Sequence, residues 1–156
     1  MPLEPRHKRE FAFPRGKKID FQKASAEIKK LENFHLASRT RREQGTQNLK
    51  DELNEEKRKP EILKDKEKSL EIANEINYAK EFTKANEAVI NAIQLIRESL
   101  KNKKFYKNKS NKSAADLMNS KIFLRDLEET HEIVQLKHDL TAAFNLLKEI
   151  SERFSE

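Results

Sequence analysis

The sequence predicts an all-α protein: an elongated helical hairpin, or coiled-coil-like bundle of about three helices, with an extended N-terminal arm. Three observations carry that expectation. Lys, Glu, Leu, Ala, Ile and Asn dominate, while two glycines and four prolines leave little turn chemistry for a sheet. Apolar residues recur every 3.5 positions on average through two long stretches, the period at which helices supercoil around a partner. Charged residues make up 38% of the chain against 35% apolar, which suits helices burying one narrow stripe each better than a layered fold with a thick core.

Residues 1–19 read as an extended basic arm. Pro2, Pro5 and Pro14 each remove an amide donor and bias the preceding residue toward extended backbone. Phe11 and Phe13 fall on one side of such a strand, which makes them a candidate anchor for a groove on a neighbouring protein. The plainer alternative is that both rings tuck against the chain's own helices.

The first helix is expected over 20–58, with Asp20 as its N-cap. Phe21, Ala24, Ile28 and Leu31 begin a stripe that Leu49 rejoins in frame. His35, Ser38, Arg42 and Gly45 occupy the seam positions between, so the spacing predicts a fray or break near Gln44–Gln47. Pro60 marks the next boundary and opens a second helix over 60–100. Its seam runs through Ile72, Ile76, Ala79, Phe82, Asn86, Val89, Ile93, Ile96 and Leu100. Asn86 reads there as a polar residue that fixes register at some cost in stability.

Residues 101–112, KNKKFYKNKSNK, form a Lys-rich connector, followed by a single long helix over 113–156. Ser113 with Asp116 resembles a capping box. Phe123, Leu127 and Thr130 give a loose first half; Ile133, Leu136, Leu140, Ala143, Leu147, Ile150 and Phe154 give a clean second half. No Gly or Pro interrupts it. At about 1.5 Å per residue the second and third helices are each roughly 60 Å long and pair as an antiparallel hairpin. A two-stranded hairpin buries little surface against the entropy of ordering its backbone. A partner chain, a second copy or another protein, is therefore expected to cover the seams.

Signals for chemistry are weak. Without cysteine there are no disulfides or thiolate metal sites. His131 and His138 share a helix face but stand about 10 Å apart along the axis, too far to share one metal. Glu128, Glu129 and Glu132 beside His131 read as a solvated charged face. HExxH, Gly-rich phosphate loops and nucleophile elbows are missing from the sequence. The expectation is a non-enzyme with no cofactor, no metal and no small-molecule substrate. No apolar run approaches the length of a membrane span, and the N-terminus lacks the apolar core of a signal peptide. That predicts no membrane partner and an intracellular location, cytoplasmic or cytoskeletal rather than nuclear.

The charge is polarised within a net +6. The connector holds six lysines and no acid, while 61–100 and 113–156 are each net acidic. Lys101, Lys103, Lys104, Lys107 and Lys109, with Arg39, Arg41 and Arg42 of the first helix, are candidate contacts for an acidic partner. That partner is an acidic filament surface or a nucleic acid, with Phe105 and Tyr106 as stackable rings. Two functions follow. The first is a helical scaffold or adaptor subunit of a multi-protein assembly, such as a cytoskeletal one. It pairs as a homo- or hetero-oligomer through Ile72, Ile76, Phe82, Val89, Ile93 and Ile96 and through Ile133, Leu136, Leu140, Leu147, Ile150 and Phe154, with Phe11 and Phe13 docking on a neighbour. The alternative is a basic nucleic-acid-associated protein using the arm, the Arg39–Arg42 cluster and the Lys101–Lys112 segment. Heptads fit any coiled-coil protein and carry no family identity.

Overall fold

The computed structural model describes residues 21–154, with side chains at Ser25, Ala26 and from Ile28 onward. The arm with Phe11 and Phe13, and the Asp20 cap, lie outside the described residues. Helix is the only regular structure among those described: α1 (Phe21–Arg58), α2 (Lys66–Asn102), α3 (Lys107–Arg125) and α4 (His131–Phe154), with one 3-10 turn, Glu61–Leu63, between the first two. α2 is the central element and touches each of the other three, and α3 also packs on α4. Contacts along the helices fix their directions. Glu32 meets Arg97 and Arg42 meets Phe82, Phe82 meets Phe123 and Glu98 meets Lys109, and His35 meets Asp139. α1 and α3 therefore run opposite to α2 and α4.

The all-helical expectation stands, but with four helices rather than about three. The long helix expected over 113–156 is two. α3 ends at Arg125 with Asp126 as its C-cap, and Leu127 N–H donates back to the Leu124 carbonyl. α4 opens on Thr130, whose Oγ1 accepts from Ile133 N at 3.2 Å and satisfies one of the helix's orphan donors. The break turns α4 back along α2, so that Ile133, Leu136, Leu140, Ala143, Leu147 and Ile150 are all at most 6% exposed in one chain. A continuous helix would have held that stripe away from α2. The Ser113–Asp116 pair lies inside α3, which starts at Lys107, and Ser113 is buried rather than a cap.

α2 is buried on more than the seam read from the sequence. Ala85, Ala88, Ala92, Leu95 and Ser99, in steps of three and four, form a second covered stripe. Ala88 and Leu95 each line a shallow surface cleft that Asp116 of α3 also lines. Small side chains along this stripe let α3 approach closely, and together the two stripes leave Ala85, Val89, Ala92, Ile93 and Ile96 with no exposed surface. The body thus covers most of its seams without a partner chain.

The break expected in α1 near Gln44–Gln47 does not occur. Gly45 sits inside the helix with open space where a Cβ would stand. The hydrogen bonds Gln44 to Asn48 and Gln47 to Asp51, each one turn apart at 3.0 Å, tie the helix together on both sides of it. The second helix begins later than Pro60: residues 61–63 form the 3-10 turn, and Asp65 caps α2 by accepting from Lys68 N at 3.1 Å. The Lys-rich connector is shorter than 101–112, because Lys101 and Asn102 close α2 and Lys107 opens α3.

Phe123 near the end of α3 meets Tyr78 and Phe82, and Glu132 near the start of α4 meets Arg42. α1 and α2 run past these contacts as a two-helix hairpin. With 16 residues of α1 beyond Arg42, the overhang is about 24 Å long at 1.5 Å per residue.

Candidate functional site: a buried polar clamp and an exposed hairpin tip

The seam positions at which α1 turns polar meet polar partners. His35 is 1% exposed, Asn86 1% and Asp139 0%, one each from α1, α2 and α4. Nε2 of His35 lies 2.8 Å from Asp139 Oδ2, and Asn86 Nδ2 lies 3.0 Å from His35 Nδ1. Gln135, one turn before Asp139, donates from Nε2 to Asp139 Oδ1 at 3.0 Å. With the Asn86 amide donating to Nδ1, the ring N–H is the one on Nε2, and it donates a hydrogen bond to the Asp139 carboxylate. Both ring nitrogens are thereby hydrogen-bonded within the protein. As arranged, the trio is a clamp joining three helices at one level. It suits the register role expected of Asn86.

A cavity of about 280 Å³ opens beside the clamp. Its floor is His35, Asn86, Gln135 and Asp139, Phe34 and Leu136 give apolar wall, and Arg41, Arg42, His131 and Glu132 form the outer part. Arg42 Nη2 donates to Glu132, and the guanidinium lies 4.8 Å over the Phe82 ring. Burial pushes its pKa below the ordinary guanidinium value, against the opposing pull of Glu132. Arg41 donates to Ser38 Oγ at 3.1 Å. Three polar atoms here have no hydrogen-bond partner: Asn86 Oδ1, Gln135 Oε1 and Arg42 Nε.

At the far end of the overhang, Glu56 is 2% exposed and pins the turn. Its carboxylate accepts from Lys59 Nζ at 2.8 Å and from the Asp65 backbone N–H at 3.0 Å. The Lys59 hydrogen bond, then that of Asp65, holds the Glu56 carboxyl below its usual pKa, and Glu56 in turn raises Lys59. The turn closes on itself through Leu63 N–H to the Pro60 carbonyl at 2.8 Å. Held in this way, Ile62 is 94% exposed and Leu63 63%, with Leu70 at 63% on the first turns of α2.

The residues expected to bind partners are placed as follows. Ile72, Ile76, Val89, Ile93, Ile96, Ile133, Leu136, Leu140, Leu147 and Ile150 are buried within the chain, and Phe82 and Phe154 lie partly buried against the core. The Arg cluster is largely engaged internally: Arg39 with Glu87 at 3.0 Å, Arg41 with Ser38 and Arg42 with Glu132. Lys101, Lys103, Lys104, Lys107 and Lys109 are all exposed around the α2–α3 connection. Tyr106 is half-buried among them, with the ammonium groups of Lys104 and Lys109 each 5.2 Å from its ring centre. Its hydroxyl accepts from Asn102. Phe105 packs against the edge of the core.

The clamp and the tip were both missed as sites by the sequence reading. Three polar residues in one heptad frame of α1 were a usable signal for the clamp, and Ile62-Leu63 outside either seam, just after Pro60, for the tip. Among the described residues no three His, Asp or Glu side chains gather to hold a metal ion. No described helix is long and apolar enough to cross a membrane.

Fold and site together define an all-helical four-helix body with a projecting two-helix hairpin. Comparison with protein-family models, with curated proteins and with solved structures finds no match to the chain.

Proposed function

We propose that the chain is a non-enzymatic helical interaction module, a scaffold or adaptor subunit of a multi-protein assembly, that presents the tip of its α1–α2 hairpin to a partner protein. The observation that carries this reading is Ile62, 94% exposed on a turn pinned by a buried carboxylate. A large apolar side chain held outward on an ordered turn loses little conformational entropy on binding, which favours its use as an anchor. The engagement of both His35 nitrogens supports a binding rather than a catalytic role for the polar centre.

The test compares proximity cross-linking by the intact protein with that of Ile62→Asp/Leu63→Asp. The double variant removes no buried contact, so its melting temperature should stay within about 2 °C of the parent, since exposed changes fall within about 0.5 kcal/mol. Its cross-links at the tip should disappear. Partners cross-linked equally well by the variant would overturn the proposal.

The five exposed lysines at the α2–α3 connection favour a second reading, association with nucleic acid at the opposite end of the hairpin from the tip. It requires an affinity that falls steeply with salt, with a slope shrinking by about 0.9 for each phosphate contact removed when these lysines are neutralised. Binding absent at low ionic strength would eliminate it.

A further inference from the structure

We propose that the cavity beside the His35–Asp139 clamp is a binding site for a small zwitterionic ligand of the free amino acid class. The ligand's carboxylate would lie toward Arg41 and Arg42, and its ammonium toward Asn86, Gln135 and Asp139.

The argument starts from unpaired polar atoms. Asn86 is 1% exposed and Gln135 8%, and each carries a carbonyl oxygen with no hydrogen-bond partner. Buried polar atoms are paired in the great majority of cases, and an unpaired one points to a missing partner. Gln135 must turn its amide nitrogen to Asp139, because a carboxylate accepts and does not donate. That leaves Oε1 as the unpaired end. Both floor residues therefore present an acceptor and call for a ligand with N–H donors. At the outer side the unpaired atom is of the opposite kind: Arg42 Nε is a donor.

Charge runs the same way. Asp139 lies at the floor, and at the outer side the guanidinium groups of Arg41 and Arg42 outweigh the one carboxylate of Glu132, with which Arg42 is paired. A ligand positive at one end and negative at the other matches this polarity; a simple anion or a simple amine satisfies half of it. Size agrees as well. A cavity of about 280 Å³ equals the volume share of roughly nine water molecules, suited to a molecule of roughly eight to ten non-hydrogen atoms. Phe34 and Leu136 give such a molecule an apolar wall. An apolar side chain such as that of leucine has a surface to rest on.

The test is calorimetric titration and thermal melting of the full chain with the twenty amino acids, and with the two halves of leucine, 3-methylbutylamine and 4-methylpentanoate. The expected result is one-to-one binding of at least one apolar amino acid, with each half-molecule weaker by at least about tenfold, as for loss of one charged contact. Gln135→Leu should abolish binding. Arg41→Gln, an exposed change that leaves the fold intact, should weaken it by about tenfold and decides the matter if Gln135→Leu fails to fold. No response to any amino acid, equal responses to the half-molecules, or binding indifferent to Arg41→Gln would mean that the cavity holds water only, and would overturn the proposal.

Discussion

His35→Leu tests whether the clamp holds the bundle together. The substitution keeps an apolar volume near that of imidazole but removes both ring hydrogen bonds, at 2.8 Å to Asp139 and 3.0 Å to Asn86. Hydrogen bonds to a charged group contribute about 1.5–3 kcal/mol and neutral ones about 1 kcal/mol, and a buried group left unpaired adds about 1–3 kcal/mol. Asp139 keeps its bond from Gln135, so the loss should fall near 3–5 kcal/mol, as when a buried pair loses one member. For a body of this size that is a fall in melting temperature of about 10–15 °C, read by circular dichroism or calorimetry. A double-mutant cycle with Asp139→Leu sharpens the test. The two single changes break the same contact, so their sum should exceed the double change by at least about 1.5 kcal/mol. A His35→Leu variant within about 1 kcal/mol of the parent, or single changes that add to within about 0.5 kcal/mol, would refute the clamp.

Other perturbations separate the remaining parts of the structure. Ile93→Asp, at a position with no exposed surface, should unfold the body and abolish the helical signal; a folded monomer that has lost only its partner would return Ile93 to an intermolecular seam. Glu56 has a depressed carboxyl pKa, so its stabilisation of the tip is complete above the ordinary value of 4.5 and fades as pH falls through the lowered one. Amide exchange at Asp65, corrected for the intrinsic rate, should therefore quicken at acid pH in the parent and already be quick at pH 7 in Glu56→Gln. Lys103 closes α2 in the left-handed conformation with φ 51°, which only glycine adopts freely, so Lys103→Gly should raise stability by about 1 kcal/mol in chemical denaturation.

The fold was legible where burial is written in large side chains. The Ile, Leu and Val seams of α2 and α4 gave the right class and the right buried faces. What the sequence hid was carried by small and polar residues. Ala85, Ala88, Ala92 and Ser99 do not read as core, yet their stripe lets α3 lie close and turns a two-stranded hairpin into a four-helix body. The α3–α4 break rests on Thr130 capping Ile133, without Gly or Pro to mark it. The site was hidden for a related reason. His35, Ser38 and Arg42 look like a failing stripe until Asp139, Asn86 and Glu132 are brought opposite them, which no local pattern reveals.

The overhang of α1 and α2 beyond α3 and α4 has one more consequence. Its helices pair chiefly with each other, so matched insertions or deletions of seven residues in both would change its reach by about 10 Å in either direction while keeping the seam in phase. The body would not register the change. In this architecture the distance between the tip and the lysine-rich end is a free dimension, adjustable by whole heptads, and the two ends can diverge in spacing without renegotiating the core between them.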